Sequence, residues 1–316
     1  MRILIIGTGS IGRRHAEVAA GDGHEVAVCD ISSESAKETA ENLQLNDYYS
    51  DYTEALEHGF DAAIISTPNM YHVDPGVLAM SKGCHVFMEK PITVRSEEAE
   101  RLVAASKKFN KILMVGYVLR VFPGLEEVKT LLVNEALGRK ISARVKVFAA
   151  KALEFQRSDY RKSYETGGGI IYDYSHEIDY LRYFFGNPIR LACFKDLLVR
   201  DDKSCDDIAE IIMQFENRVI VNVHMNYVLD GGRELEIICE NGLIQYNFSE
   251  LRITKNDGAE EYVKYEFERN DMYLKQLRNF TAACRGMEVN YVTGENALET
   301  LKICEELYSF DKETLG

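Results

Sequence analysis

The stretch ILIIGTGSIGRRHA at residues 3–16 restricts the fold of this chain more than any other. Ile3 to Ile6 form an apolar, largely β-branched run, the pattern of a parallel strand buried on both faces. Gly7, Gly9 and Gly12 follow as G-x-G-x-x-G, where that strand must turn into a helix. Gly7 permits the tight turn, Gly9 lets the backbone approach a pyrophosphate with no Cβ in the way, and Gly12 lets helix and strand pack closely. The helix then presents N–H groups and a partial positive charge to the phosphates. A glycine turn alone is common, but a second strand pattern, 25–30, follows the turn signal Gly21-Asp22-Gly23 and ends on Asp30. That is about 20 residues beyond the glycines, where a ribose-binding acid is expected. Such a carboxylate bonds the ribose hydroxyls and repels a 2′-phosphate, so NAD(H) is expected in preference to NADP(H). Arg13 and Arg14 in the first helical turn keep NADP(H) open; their alternative is a solvated helix face.

At 316 residues the chain is long enough for two domains. Its 37 basic and 51 acidic residues give a net charge of −14, which argues against nucleic acid and anionic membranes as partners. No apolar run reaches the roughly 18 residues a membrane-spanning helix needs. With the first strand beginning at residue 3, no secretory leader is expected and the expected location is cytoplasmic. The seven cysteines are scattered, odd in number and without metal-ligand spacing, so they read as reduced thiols, and no metal is expected.

From residue 1 to about 120, short apolar runs at 2–6, 25–30, 61–66, 84–88 and 112–117 alternate with helical patterns at 12–20, 33–43, 52–58, 71–82 and 96–109. This alternation predicts a doubly wound parallel sheet. Beyond 121 the texture changes to a helix (123–135), a strand (141–150), a helix near 167–185, and then strand-length segments at 189–199, 206–216, 218–228, 233–240, 242–248 and 260–267. Short turns between them predict a largely antiparallel open sheet in an α+β domain. Helical patterns at 270–285 and 294–311 close the chain. The expected domains are 1–120, binding the dinucleotide, and 121–316, binding substrate.

Two segments carry chemistry beyond the glycines. Glu89-Lys90-Pro91 directly follows the strand 84–88, at the sheet edge where open α/β sheets bind ligands. A lysine there can hydrogen-bond a substrate hydroxyl and stabilise an alkoxide as a hydride leaves, and Pro91 restricts Lys90 to extended backbone. Elsewhere the same tripeptide is an ordinary surface turn. In the second segment, Asp173, His176 and Asp179 are spaced i, i+3, i+6, one face of a continuous helix. Histidine, with an ordinary pKa of about 6.5, suits proton exchange near neutrality, and a neighbouring carboxylate orients its ring. The alternative, a satisfied helix histidine, weighs equally on this segment alone.

Together, GTGSIGRRHA at 7–16, STPNMYH at 66–72, EKP at 89–91, VGYVLRVFP at 115–123 and GGGIIYDYSHEIDYLRYFFG at 167–186 make the chain resemble, end to end, the glucose–fructose oxidoreductase / inositol dehydrogenase (Gfo/Idh/MocA) family. That family consists mostly of NAD(P)-dependent oxidoreductases of sugars, inositols and related polyols. It has a Rossmann domain and a C-terminal domain whose open sheet often mediates dimers or tetramers. The resemblance implies that Lys90 polarises the substrate, His176 transfers the proton and Asp173 is a substrate or support carboxylate. It places Gly7, Gly9, Ser10, Ile11, Gly12, Asp30, Ser66, Glu89 and Lys90 about the cofactor, with Thr67, Pro68, Asn69 and His72 on its nicotinamide side. Tyr117 and Arg120 are implied as substrate contacts, and a homodimer or homotetramer through the C-terminal sheet is implied as well. Many members read D-x-G-x-H, whereas Asp173 and His176 are three steps apart, with Ser175 before the histidine and no intervening glycine.

The expected reaction is reversible hydride transfer between nicotinamide and a carbinol carbon of a sugar, inositol, sugar acid or nucleotide sugar. Arg157, Tyr160, Arg161 and Tyr164 precede the histidine helix as candidate substrate contacts, and the two arginines suit a carboxylate or phosphate; a solvated loop is the equal alternative. Two other classes compete. One is a glycoside hydrolase acting by transient oxidation with tightly held NAD⁺, and the other is a sugar or nucleotide sensor without catalysis. Retention of Lys90 and His176 argues against the sensor.

Overall fold

A computed structural model of the protein describes residues 1–149, 163, 166–198 and 205–310. The chain divides into two compact units, Met1–Val118 with Glu268–Leu301, and Leu119–Phe267 with the stretch from Lys302.

In the first unit, β1 (Arg2–Ile6), β2 (Glu25–Cys29), β3 (Asp47–Tyr49), β4 (Ala62–Ile65), β5 (His85–Met88) and β6 (Leu113–Val115) form one parallel sheet. Their order is β3-β2-β1-β4-β5-β6. Ile3 to Ile6 and Ala62 to Ile65 are buried, as apolar runs covered by helices on both faces must be. The helices α1 (Ser10–Gly21), α2 (Ser33–Leu43), α3 (Tyr52–Ala55), α4 (Val73–Ser81) and α5 (Ser96–Phe109) intervene. Their ends follow the local chemistry. Ser32 caps α2 by accepting from the Ser35 N–H. The α5 helix starts with Glu97 and Glu98, ends with Lys107 and Lys108, and stops at Asn110 in the left-handed region, which complements its dipole. Strand order reverses between β1 and β4, so the loops after these strands diverge and leave a crevice at the carboxyl edge. The parallel sheet expected from sequence is present. The sequence pattern did not reveal β3, because Asp47-Tyr48-Tyr49 is short and not apolar.

In the second unit, α6 (Pro123–Val133) leads into β7 (Lys140–Ala149). After α7 (Ile170–Asp173) and α8 (Ser175–Phe185) come β8 (Pro188–Asp196), β9 (Ile208–Phe215), β10 (Ile220–Asn226), β11 (Asp230–Cys239), β12 (Gly242–Tyr246), β13 (Glu250–Lys255) and β14 (Glu260–Lys264). The eight strands run β14-β13-β12-β11-β7-β10-β9-β8, every neighbouring pair antiparallel except β7 with β10. The expected largely antiparallel sheet is therefore present, with β13 as a strand the sequence pattern did not reveal.

Two differences from the sequence expectations matter. The first is that Glu268–Leu301 returns to the N-terminal unit instead of joining everything after residue 120. Tyr273, Leu277 and Phe280 on α9 (Arg269–Cys284) share one core with Ile3, Ile5 and Phe87. Helical periodicity marks an apolar face but not the sheet it will cover. The second is that the helix expected over 167–185 breaks at Tyr174, whose φ of −107° and ψ of 29° are not helical. The last helix, α10 (Gly294–Ser309), closes the described chain.

Candidate active site

The carboxyl edge of the first sheet carries the glycine turn. Gly7 has φ +94°, and a Cβ there would lie 2.9 Å from the Ser66 and Thr67 backbone. At Gly12 a Cβ would lie 1.8 Å from the Gly7 carbonyl oxygen, so helix and strand touch through backbone. Gly9 is the opposite case: a Cβ there meets nothing within 4 Å, and the residue is exposed beside exposed Ser10. No side chain caps α1, whose first turn carries Ile11 and Arg13. An uncapped helix start behind an open glycine fits the pyrophosphate of a dinucleotide, with the N–H groups and the dipole as its ligands.

Asp30 directly follows β2 beside this turn. Its Oδ2 accepts from the Thr8 N–H at 2.7 Å and the Thr8 hydroxyl at 3.0 Å, and its Oδ1 accepts from the Ser32 N–H at 2.9 Å. Thr8, missed by the sequence reading, thus ties the glycine turn to Asp30. Its only sequence signal is its place between the first two glycines. Arg13 donates to the Thr8 carbonyl at 2.9 Å and lies 3.5 Å from Glu38, whereas Arg14 donates to Asn270 at 2.8 Å. Both arginines therefore have protein partners.

After β4, Thr67, Pro68 and Asn69 are half-buried and lead into the turn Asn69–Tyr71. Two residues expected to touch the cofactor face inward instead. The Ser66 hydroxyl donates to the Gly7 carbonyl at 2.9 Å, bracing the turn from behind. His72 is fully buried, with Nε2 2.9 Å from the Thr67 carbonyl and Nδ1 3.1 Å from that of Ile92. Burial pushes its protonation below the usual histidine range, and the two carbonyls oppose that shift. The ring staples the loop after β4 to the loop after β5.

Lys90 is half-buried at the end of β5, and its bond to Pro91 is cis. Glu89, expected among the cofactor contacts, is turned inward. Its Oε1 accepts from His15 Nε2 at 2.7 Å and its Oε2 from the Lys90 N–H at 3.2 Å. A carboxylate aimed at phosphates would repel them, whereas here Glu89 joins α1 to the lysine loop. His15, only 2% exposed, packs edge-on against Phe87 and Tyr273. It went unnoticed in the sequence because nothing in GRRHA says which way the ring points. Tyr117, expected at the substrate, is buried after β6.

In the second unit the break at Tyr174 separates the two central residues. Asp173 is the last residue of α7 and His176 the second of α8, so they do not share one helical face. Asp173 is half-buried and its Oδ2 accepts from the Tyr227 hydroxyl at 2.5 Å. His176 is 8% exposed and follows fully buried Ser175. Glu177, also fully buried, accepts from Arg233 Nε at 2.6 Å. Asp179, the third member of the expected face, is held by Arg120 in a two-pronged pair: Nε to Oδ2 at 2.7 Å and Nη2 to Oδ1 at 2.8 Å. Arg120, expected as a substrate contact, therefore has its fork filled by Asp179, and Tyr183 stacks beneath it at 4.7 Å. Arg157, Tyr160, Arg161 and Tyr164 lie outside the described residues. Among the described residues no group of three or more His, Cys, Asp or Glu side chains could hold a metal ion, and no helix is long and apolar enough to cross a membrane.

Residues 1–117 match the model of an oxidoreductase family with an NAD-binding Rossmann fold, GFO_IDH_MocA, and residues 125–245 match the GFO/IDH/MocA C-terminal domain. Myo-inositol 2-dehydrogenase of Thermotoga maritima is 26% identical over 315 residues, 94% of this chain and 92% of that protein. Glucose-6-phosphate 3-dehydrogenase of Bacillus subtilis is 27% identical over 269 residues, 80% of this chain and 76% of that one. In fold, the chain is similar to the WlbA dehydrogenase of Bordetella pertussis solved with NADH and UDP-GlcNAcA. The TM-score is 0.86 with 21% identity, covering 98% of this chain and 95% of that chain.

Proposed function

The chain belongs to the Gfo/Idh/MocA family of NAD(P)-dependent oxidoreductases, and we propose that it interconverts a carbinol and a carbonyl on a sugar, inositol, sugar acid or nucleotide sugar. The observation that carries this reading is the carboxyl edge of the first sheet. There the open cradle at Gly9, the fixed carboxylate of Asp30 and the lysine loop after β5 gather on one edge. Gly9, Ser10 and Ile11 would hold the pyrophosphate and Asp30 the ribose, and the bound nicotinamide would supply or accept the hydride. The names of the inositol and glucose-6-phosphate relatives support a carbohydrate substrate. Arg157 and Arg161 remain our candidates for an anionic group on it.

In this reading Lys90 donates a hydrogen bond to the reacting oxygen, opposing the charge that builds there as the C–H bond breaks. His176 takes the hydroxyl proton in oxidation and returns it in reduction. Asp173 holds a substrate hydroxyl or the ring of His176. Assembly through the C-terminal sheet is part of the proposal, supported by exposed Phe194, Ile212 and Ile220 on one face of β8–β10. The direct test is a panel of sugars, inositols, sugar acids and nucleotide sugars, followed by NADH and NADPH absorbance. Turnover of none of them, or release of free sugar from an aryl glycoside without net NADH, would sink the dehydrogenase reading.

Two variants probe the first sheet. Lys90→Met is expected to lower kcat by roughly 10²–10³, the usual cost of losing one donor to a developing oxyanion, with little change in NADH affinity. Near-normal turnover would remove the lysine loop from the chemistry. Asp30→Ala is expected to weaken NADH and narrow the discrimination against NADPH in fluorescence titrations. Because Asp30 also holds Thr8 and Ser32, Asp30→Asn separates the charge from the loop support. Tighter binding of NADPH than NADH by the unaltered protein would refute the preference.

A further inference from the structure

The short helix α7 is gripped at both ends from the open end of the β9–β10 hairpin. At its start the Ile170 N–H donates to Asp206 Oδ2 at 3.2 Å, and at its end Asp173 Oδ2 accepts from the Tyr227 hydroxyl at 2.5 Å. The two gripping residues flank the hairpin, Asp206 just before β9 and Tyr227 just after β10. The two ends are tied through the neighbour of Asp206, since the Tyr227 N–H donates to the Asp207 carbonyl at 3.0 Å. Asp206 and Tyr227 are each 2% exposed, so the gripping side of both contacts is out of water, while Asp173 itself is half-buried.

A phenol that donates to a carboxylate at 2.5 Å forms a charge-assisted hydrogen bond, shorter and stronger than a neutral one. It fixes the plane of the carboxylate. The Tyr227 ring also meets the Tyr174 ring edge-on at 6.0 Å, and the Arg233 guanidinium lies 5.2 Å from the Tyr174 ring centre on its way to Glu177. Tyr174 is the break between the helices, so this chain of contacts holds both the residue three before His176 and the residue after it.

We infer that Tyr227 is a positioning residue for the reaction, acting through Asp173. Its hydroxyl sets the orientation of the Asp173 carboxylate, which then faces the substrate or the His176 ring. The inference rests on the role of Asp173 proposed above, and the test keeps the two apart.

Tyr227→Phe removes one oxygen and keeps the ring. With the substrate the panel returns, kcat is expected to fall about tenfold, the scale of one charge-assisted hydrogen bond, while KM and the NADH dissociation constant stay within about twofold. In an Asp173→Ala background the same change is expected to alter kcat by less than about twofold, because the partner has already gone. Proton NMR supplies a readout independent of turnover. A far-downfield resonance from the short O–H···O bond is expected in the unaltered protein and absent from both single variants. A large loss in Asp173→Ala with none in Tyr227→Phe overturns the inference and leaves the role of Asp173 standing. Unchanged turnover in both overturns both. An equal loss from Tyr227→Phe with and without Asp173, or one that merely tracks a lower melting temperature, shows support of the fold alone and also overturns it.

Discussion

Replacing His176 by alanine is expected to lower kcat by roughly 10²–10⁴, the usual contribution of a positioned acid–base group. The ring is second in α8, largely buried and flanked by fully buried Ser175 and Glu177, so the backbone that carries it is well held. Truncation should therefore remove the proposed proton acceptor without melting the helix. The glycine turn belongs to the other compact unit, so NADH titration should be nearly unchanged. In the unaltered enzyme, oxidation should decline toward acid pH as the imidazole gains a proton and can no longer accept one. That limb should vanish with the ring. Near-normal turnover in His176→Ala, or a retained acid limb, would hand the proton to another group, with Asp173 the first candidate.

Arg120→Ala is expected to cost stability rather than chemistry. Arg120 is 7% and Asp179 1% exposed, and the two meet through paired hydrogen bonds. Removing one partner of a buried ion pair strands the other charge, at a cost of about 3–5 kcal/mol. The chain has no tryptophan, so urea unfolding is best followed by far-ultraviolet circular dichroism. An apolar pair, Arg120→Met with Asp179→Leu, is expected to recover most of the loss, since burying two well-packed apolar groups avoids desolvating charges. A midpoint unmoved by Arg120→Ala would mean that the pair contributes little and that Arg120 is held for another purpose.

What sequence disclosed here was residue type and local period; what it withheld was direction. The ranges 33–43 and 96–109 were read to the residue from helical periodicity, with Ser33 and Ser96 as capping residues, although the side chain that caps the first is Ser32 and Arg95 precedes the second. The glycine turn was legible because Gly7 and Gly12 answer steric demands no other residue meets, while Gly9 leaves its side of the turn open. Glu89, Ser66, His72 and Arg120 were read as ligand contacts, yet each turns toward a protein partner. Their motif strings are the same whichever way the side chains face. The break at Tyr174 left no trace either, since neither glycine nor proline marks it, and the three-residue spacing of Asp173 and His176 read as one helical face. Tyr227 lies 54 residues from Asp173, beyond any local pattern.

The return of Glu268–Leu301 to the first unit has a consequence for biosynthesis. As the chain leaves the ribosome, its first 118 residues emerge with all six strands of the parallel sheet but without Tyr273, Leu277 and Phe280, which finish their core. The nascent sheet must wait, one apolar flank uncovered, while the whole of Leu119–Phe267 is made. At translation rates of about 5–20 residues per second that interval lasts many seconds, a window in which exposed core surface invites chaperones or aggregation. The second unit, by contrast, has its eight strands in hand before α9 appears. The half of the chain begun first thus waits for a piece made much later, and an exchange of cofactor-binding halves between relatives would have to carry two separate pieces of gene.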